Sequence, residues 1–226
     1  MIELVVFDMA GTTIDEDNVV YKTVRAAINA AGYAVSQDQV QAAGAGKEKS
    51  QAIRDVLALD GNAHDDEEIA AIFADFKARL SEAYADLEVR PQRGAEDVFA
   101  RLRSEGIRVV LNTGYDRPTA EKLLRKLGWV SGQAIDDLVT ASDVPRNRPA
   151  PDMILEAMRR TNVTQSSKVA KVGDSAIDIE EGQNAGCLVT LGITTGAQTA
   201  QQLRAARPTA VIDRLGDVFR FFEPVG

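Results

Sequence analysis

Short apolar runs alternate with amphipathic helical patterns along most of this chain. The runs rich in Val, Ile and Leu predict strands over Glu3–Phe7, Arg108–Asn112, Asp137–Thr140, Val169–Val172, Cys187–Leu191 and Ala210–Ile212. Helical spacing predicts helices over Ala95–Ser104, Pro118–Leu127, Pro151–Arg160, Ala176–Ala185, Gln198–Ala205 and Asp213–Phe222. Strands that alternate with helices predict an α/β fold, with a parallel sheet covered by helices on both faces.

The stretch after the first predicted strand carries helical patterns and no strand pattern. Helices are predicted over Asp15–Ala31, Gln37–Ala43, Glu48–Leu57 and Asp65–Leu87. We therefore expect residues 15–88 to form an inserted all-helical cap domain. The sheet domain is then expected to comprise residues 1–14 and 89–226.

One apolar stripe in the first of these helices has two interpretations. Val20, Val24 and Ile28 recur at helical spacing on one face. That face can form the core of the cap itself, or it can pair two copies of the chain in a homodimer.

Composition and charge narrow the class of protein further. The chain has 226 residues, of which 45 % are hydrophobic and 27 % charged, and a single cysteine, Cys187, so an internal disulfide is impossible. No apolar run approaches the roughly 18 residues of a membrane span, and the start MIELVVFDMAGTT has no signal-peptide pattern. We expect a cytoplasmic protein with no membrane partner. The net charge of −8 argues against nucleic acid but leaves small anionic substrates open, because a metal and a few cations can reverse the local field.

Polar residues stand at the carboxyl ends of several predicted strands. They are Asp8, Thr113, the loop that ends at Arg148, and Asp174 with Asp178. Ligands of an open α/β sheet bind beyond these strand ends. A single Asp at such a place is explained equally well by a turn or a helix cap, but the polar groups at four ends together indicate a site.

These residue types suit phosphoryl transfer. Asp8 and Asp174 offer the hard oxygen ligands that Mg²⁺ prefers, and Asp8 is also placed to act as a nucleophilic carboxylate. The groups expected to bind the phosphoryl oxygens are Thr12, Thr113, Arg148 and the amides around Gly11 and Gly114.

Four ordered motifs resemble those of the haloacid dehalogenase superfamily. They are Asp8–Thr13, Thr113–Tyr115, Arg148-Pro149 and Gly173–Asp178. The resemblance implies a Rossmann-like sheet domain, a small helical cap, and an aspartyl-phosphate intermediate on Asp8. It also implies that Asp8, the Ala10 carbonyl and Asp174 hold Mg²⁺, that Asp178 supports the metal site, and that Thr113 binds the phosphoryl group.

Ala10 departs from the superfamily's phosphatases. Those enzymes carry an Asp at this position, which protonates the departing alcohol, and general acid catalysis typically contributes about 10²–10⁴-fold. Ala10 has no proton to donate, so ordinary phosphomonoester hydrolysis is expected to be weak. The segment Asp8–Asp15 resembles the phosphonatase branch, which cleaves a carbon–phosphorus bond and has Ala at this position.

A cap lysine matches the same branch. Gly46, Lys49 and Arg54 reproduce its spacing, which implies that Lys49 forms an imine with the substrate aldehyde so that the carbon departs as an enamine. Two alternatives stay open: a solvated lysine at a helix start, and an electrostatic anchor for the substrate. Lys47 would lower the pKa of Lys49, whereas Glu48 would raise it.

The cap also departs from that branch. Ala52 stands where the branch has a His three residues after its Lys, and the chain's one His, His64, lies in a polar stretch where we expect it to be exposed. Proton transfer would then depend on Tyr115, on Lys47 or on water. Gly114 and Tyr115 are expected to contact the substrate.

The resemblance therefore implies a Mg²⁺-dependent hydrolase that cleaves phosphonoacetaldehyde or a related small phosphonate. The alternative is a phosphatase for a small phosphorylated metabolite, with Lys49 as substrate anchor. A protein that only binds phosphorylated ligands is disfavoured, because binding alone does not require the nucleophile Asp8.

Overall fold

A computed structural model describes residues 1–222, apart from the side chain of Asp86. The strands are β1 Leu4–Asp8, β2 Ile14–Asp15, β3 Arg90–Pro91, β4 Arg108–Thr113, β5 Asp137–Thr140, β6 Val169–Gly173, β7 Val189–Ile193 and β8 Ala210–Ile212. The α-helices are α1 Val19–Ala30, α2 Gln37–Gly44, α3 Lys49–Leu57, α4 Asp66–Asp86, α5 Ala95–Ser104, α6 Arg117–Leu127, α7 Asp152–Thr161, α8 Ala176–Asn184 and α9 Ala200–Ala205.

The six-stranded sheet has the order β5-β4-β1-β6-β7-β8, and all of its pairs are parallel. The predicted α/β fold with a parallel, Rossmann-like sheet is confirmed. Because β1 lies between β4 and β6, the residues that follow these strands meet at one edge of the sheet. In this register Asp8 of β1 pairs with Asn112 of β4.

Each face of β1 is covered by a separate layer of helices. Val5 and Phe7 face the larger core, which includes Phe99 of α5. Leu4 and Val6 face the other layer, where they join Met153 of α7. This alternation places every side chain of β1 in a buried environment, which explains why the strand is a continuous apolar run.

Helices α1 to α4 lie between two short strands that no sequence pattern indicated. Strands β2 and β3 pair antiparallel, at the two ends of this helical stretch. The predicted cap at 15–88 and sheet domain at 1–14 and 89–226 have boundaries near these strands, and this division stays a prediction. Val20, Val24 and Ile28 of α1 are almost fully buried within the chain, so their stripe forms internal core.

Two segments near the C-terminus differ from the sequence-based expectation. Strand β7 begins at Val189, so Cys187 is a half-buried residue before the strand, and burial raises the pKa of its thiol to about 12. Leu215–Phe221 forms a 3₁₀-helix, whereas the sequence predicted an α-helix. The buried residues Leu215 and Val218 are three apart, which is the spacing that a 3₁₀-helix places on one face. Among residues 1–222, no helix combines the length and the apolar character needed to cross a membrane.

Phe99 provides a test of the larger core. Its ring lies 5.6 Å from that of Phe7 and 5.2 Å from that of Trp129, centroid to centroid. Phe99→Ala is expected to lower the free energy of unfolding by about 3–5 kcal/mol, because it leaves a cavity among these rings. Leu155→Ala, at a side chain that is 46 % exposed, should change it by no more than about 0.5 kcal/mol. Urea denaturation measures both, and equal losses would contradict this assignment of the core.

Candidate active site

The strand-end residues singled out from the sequence lie together at one edge of the sheet. Asp8 ends β1, Thr113 ends β4, and Asp174 follows β6 directly. Asp178 lies in the first turn of α8, and Arg148 reaches this edge from the loop between β5 and α7. Residues from five segments of the chain therefore form a single group.

The Arg148 guanidinium forms the centre of this group. It is buried, and its Nη1 donates to Asp8 Oδ1 at 2.8 Å and lies 3.0 Å from Asp178 Oδ1. Its Nε donates to Glu181 Oε2 at 2.9 Å, and its Nη2 donates to Asn112 Oδ1 at 2.7 Å. Each guanidinium nitrogen therefore has a protein partner. These contacts position Asp8, while the predicted contact of Arg148 with a phosphoryl group stays a prediction.

A second buried cation shares partners with Arg148, and the sequence analysis missed it. Lys171 on β6 is 1 % exposed, and its Nζ donates to Asn112 Oδ1 at 2.6 Å and lies 2.9 Å from Asp178 Oδ1. Glu181 on α8 completes the network. A lysine inside the apolar strand Val169–Gly173 was the available signal, because a buried charge needs a partner of opposite sign.

The carboxylates of Asp8, Asp174 and Asp178 form a cluster that can hold a cation. One oxygen from each lies within 4.8 Å of the others. Burial and the neighbouring carboxylates raise the pKa of Asp174 well above its usual value. Burial also acts on Asp178, but Arg148 and Lys171 outweigh it and hold the pKa of Asp178 below its usual value.

Glycines allow the backbone to lie close to the Asp174 carboxylate. A Cβ at Gly11 or at Gly196 would clash with its carboxylate, and the amide of Ala197 donates to Asp174 Oδ2 at 2.5 Å. An oxygen-rich cradle of this kind, with carboxylates that repel one another, fits a hard divalent cation.

The remaining predicted phosphoryl contacts surround the end of β4 and the loop after β1. Among the described residues, the buried Thr12 Oγ1 has no hydrogen-bond partner, so it is free to donate to a ligand. Thr113 is also buried, and its Oγ1 accepts from the amide of Tyr115. At Gly114, a Cβ would lie 2.9 Å from the carbonyl oxygen of Lys47, so glycine allows the two backbones to meet.

Lys49 begins α3 and is only 6 % exposed, so the interpretation as a solvated lysine is wrong. Its Nζ donates to the carbonyl oxygen of Lys47 at 2.5 Å and lies 5.5 Å and 5.6 Å from the ring centroids of Tyr21 and Tyr115. Burial lowers the pKa of Lys49, although the charge of Asp8 opposes this effect. Burial is thus the main cause, rather than the neighbouring charge of Lys47, whose Nζ pairs with Asp55.

A buried acid beside this lysine was not found from the sequence. Glu16 accepts a hydrogen bond of 2.8 Å from the Tyr84 hydroxyl, which lies 3.1 Å from the hydroxyl of Tyr115. Burial raises the pKa of Glu16 to about 7. The run Asp15-Glu16-Asp17 resembles an ordinary solvated loop, so only the tertiary contact with Tyr84 reveals it.

Two cavities border these residues. The larger, of about 410 Å³, lies between the helical stretch and the end of the sheet, and its lining includes Lys49, Phe76, Leu80, Tyr84, Tyr115 and Pro118. The smaller, of about 90 Å³, is bordered by Ala10, Glu16 and Asp174. Lys49 thus faces a space large enough for a small organic substrate.

Ala52 and His64, the two positions at which the chain departs from the phosphonatase branch, lie outside the strand-end group. Ala52 is buried against α2, where a Cβ at Gly44 would lie 3.2 Å from the Ala52 Cβ. The side chain of His64 is 8 % exposed rather than exposed as predicted, because it packs against Tyr33 and lies between Asp60 and Glu68. None of these partners of His64 belongs to the strand-end group.

Comparisons with known proteins identify the family of this chain. A family model described as haloacid dehalogenase-like hydrolase matches residues 2–186. The phosphonoacetaldehyde hydrolase of Parabacteroides distasonis is 30 % identical over 208 residues, which cover 85 % of this chain and 76 % of that protein. The chain therefore belongs to the haloacid dehalogenase-like hydrolases and is an enzyme. Its similarity to a named phosphonoacetaldehyde hydrolase supports the resemblance to the phosphonatase branch within that family.

Solved structures show the same fold. A phosphonoacetaldehyde hydrolase-like protein from Oleispira antarctica superimposes with a TM-score of 0.83 and 27 % identity, covering 98 % of this chain and 91 % of that one. A hydrolase from Pseudomonas syringae has a TM-score of 0.85, with 96 % of both chains covered. Its identity is 18 %, so this second similarity concerns the fold alone.

The burial of Lys49 predicts a dependence of stability on pH. The pKa of a lysine in the unfolded chain is about 10.4. Because the pKa of Lys49 is lower in the folded protein, the unfolded state binds more protons at pH values between the folded and unfolded pKa. The free energy of unfolding then rises with pH across that window.

Lys49→Met removes this titration. The variant is expected to be more stable than the wild type at pH 7, and the difference should narrow as the pH approaches 10. Urea denaturation at several pH values measures the difference. Lys22→Met, at an exposed lysine, should show no such narrowing. If the difference in free energy of unfolding between Lys49→Met and the wild type stays constant with pH, the lowered pKa of Lys49 is contradicted.

Proposed function

We propose that this enzyme hydrolyses the carbon–phosphorus bond of a small phosphonate, phosphonoacetaldehyde or a close relative. The reaction is proposed to use Mg²⁺ and an aspartyl-phosphate intermediate on Asp8. One observation carries the proposal. Lys49, a buried lysine with a lowered pKa, lies near the strand-end carboxylate of Asp8, and Ala10, two residues after Asp8, is not an acid.

Lys49 supplies the first step. A neutral amine is required to add to an aldehyde, and burial makes the neutral form of Lys49 accessible at lower pH than usual. The amine adds to the carbonyl carbon, one proton is taken up from solvent, the carbonyl oxygen leaves as water, and a protonated imine remains. The rings of Tyr21 and Tyr115 face the Lys49 Nζ, and their π-faces favour a cation at this place.

Asp8 carries out the second step. Its carboxylate forms a bond to phosphorus as the carbon–phosphorus bond breaks, and the released electron pair moves through carbon to the imine nitrogen, which gives an enamine. The departing carbon needs no proton at this moment, so Ala10 suits the reaction. Arg148 holds Asp8 in place through its 2.8 Å hydrogen bond.

Water completes the cycle. It attacks the aspartyl phosphate and releases inorganic phosphate, while protonation of the enamine carbon and hydrolysis of the imine release acetaldehyde and free Lys49. Thr12 and Thr113 are proposed to hold the phosphoryl oxygens. Mg²⁺, held by Asp8, the Ala10 carbonyl and Asp174, would offset the negative charge of the phosphoryl group.

Trapping tests the role of Lys49. With phosphonoacetaldehyde and borohydride, the wild type is expected to form a reduced adduct on Lys49, which peptide mass mapping locates, and to release phosphate without the reductant. Lys49→Arg keeps the charge but should lose the adduct and at least about 100-fold in phosphate release, because the guanidinium is not nucleophilic.

Lys77→Arg is the matched control, since Lys77 lines the same cavity and is exposed. Its adduct on Lys49 and its rate should equal those of the wild type. If the wild type forms no adduct yet hydrolyses small phosphomonoesters, the phosphonate proposal is wrong and the phosphatase with Lys49 as an anchor replaces it.

Chelation and removal of the Asp174 carboxylate test whether the reaction depends on Mg²⁺. Chelation by EDTA should abolish phosphate release and added Mg²⁺ should restore it. Asp174→Asn should lower the rate by more than about 100-fold, since even the groups around a ligand typically contribute 10- to 100-fold. Glu180→Gln, at an exposed acid on α8, should retain the wild-type Mg²⁺ dependence. Full activity in EDTA would contradict the metal assignment.

A further inference from the structure

Three buried side chains form a hydrogen-bonded chain between the two cavities. Glu16 borders the smaller cavity, on the side of Ala10, and Tyr84 and Tyr115 line the larger one. The Tyr84 hydroxyl donates to Glu16 Oε2 at 2.8 Å and lies 3.1 Å from the Tyr115 hydroxyl. All three are less than 5 % exposed. The series ends at Tyr115, whose ring lies beside Lys49.

The surroundings of Glu16 favour exchange of a proton near neutral pH. Burial and the charge of Asp15 raise its pKa, while the hydrogen bond from Tyr84, the amide of Val20 and the charge of Lys49 lower it, and the balance lies at about 7. Burial raises the pKa values of Tyr84 and Tyr115 well above the usual range. The two hydroxyls therefore stay neutral and can pass a proton along without ionising.

The two other acids at the larger cavity are engaged elsewhere. Glu48 and Asp116 border this cavity, but each accepts hydrogen bonds from the backbone as the N-cap of a helix. Lys47 pairs with Asp55, and Ala52 has no titratable group. Glu16, in contrast, is linked through the hydroxyls of Tyr84 and Tyr115 to the part of the cavity that Lys49 lines, and these hydroxyls can carry its proton.

We propose that Glu16, Tyr84 and Tyr115 form a proton relay that serves the carbon atom attached to Lys49. The proposal rests on the proposed function, because it requires the imine on Lys49. Tyr115 meets the substrate, whereas Glu16 and Tyr84 act through it.

The relay balances over one turnover. The Tyr115 hydroxyl gives its proton to the enamine carbon, Tyr84 replaces that proton, and the Glu16 carboxylic acid replaces the proton of Tyr84, which leaves a Glu16 carboxylate and an iminium ion. Water then adds to the iminium carbon, and the proton released by that water returns through the same hydroxyls to Glu16.

A test that needs no carbon–phosphorus cleavage uses acetaldehyde in D₂O. Acetaldehyde forms the same iminium on Lys49, and its methyl protons exchange through the enamine, which proton NMR detects as loss of the methyl signal. Glu16→Gln keeps the size of the side chain and its acceptor for Tyr84 but removes the titrating proton. Tyr84→Phe interrupts the chain of hydroxyls.

Exchange in both variants should be about 100-fold slower than in the wild type, within the range typical of acid–base groups. In the wild type the rate should increase as pH rises through about 7, because the Glu16 carboxylate must accept the first proton. Glu16→Gln should lose this dependence. Tyr33→Phe is the matched control, since it removes a Tyr–Glu hydrogen bond with Glu68 outside both cavities, and it should behave as the wild type.

The outcomes separate the relay from the function on which it rests. Borohydride trapping with acetaldehyde should label Lys49 in the wild type and in all three variants, which also shows that the variants keep the site folded. If Lys49 of Glu16→Gln is labelled, and its methyl-proton exchange rate and pH profile equal those of the wild type, the relay is overturned but the imine on Lys49 stands. No labelling of the wild type would overturn the proposed function and the relay with it. Equal slowing in Tyr33→Phe would assign the effect to the packing of the cap and overturn the relay.

Discussion

The buried contact between Arg148 and Asp8 is the constraint on which the rest of the site depends. The guanidinium brings Asp8, Asp178, Glu181 and Asn112 together from strands and helices distant in sequence. Loss of one partner from a buried ion pair typically costs 3–5 kcal/mol, because the other charge is left uncompensated. The network therefore fixes the position of Asp8 and, through Asp178, the shape of the carboxylate cluster.

Close backbone approach joins the helical stretch to this network. Gly114 meets the carbonyl of Lys47, and Gly46, with a φ of +72°, lies where a Cβ would clash with Ser175 and Ile177. Larger residues would hold the start of α3 away from the sheet. These contacts bury Lys49, and burial is what lowers its pKa, so the chemistry of the lysine follows from the packing of glycines.

The acid that phosphatases of this superfamily carry at the position of Ala10 is absent, and the chain's other acids are distributed to different tasks. Asp8 and Asp174 belong to the carboxylate cluster that can hold a cation, and Glu181 pairs with Arg148 and Lys171. Within residues 1–222, Glu16 forms no ion pair; it accepts a hydrogen bond from the Tyr84 hydroxyl, and burial raises its pKa to about 7. Position in the fold, rather than residue type, gives these carboxylates different surroundings and therefore different proposed roles.

The sequence by itself determined the α/β architecture and the strand-end residues Asp8, Thr113 and Asp174. Periodicity is a local property, and parallel strands bring their carboxyl ends to one edge. Periodicity did not predict the short strand pair β2–β3, because it depends on pairing between segments distant in sequence. It also did not predict the 3₁₀-helix at Leu215–Phe221, because the packing of residues three apart determines that helix type. Only the tertiary structure decided that Lys49 is buried, that Lys171 supports Arg148 and that Glu16 reaches Tyr84. Desolvation and charge pairing depend on which segments meet in space, and no spacing along the chain records that.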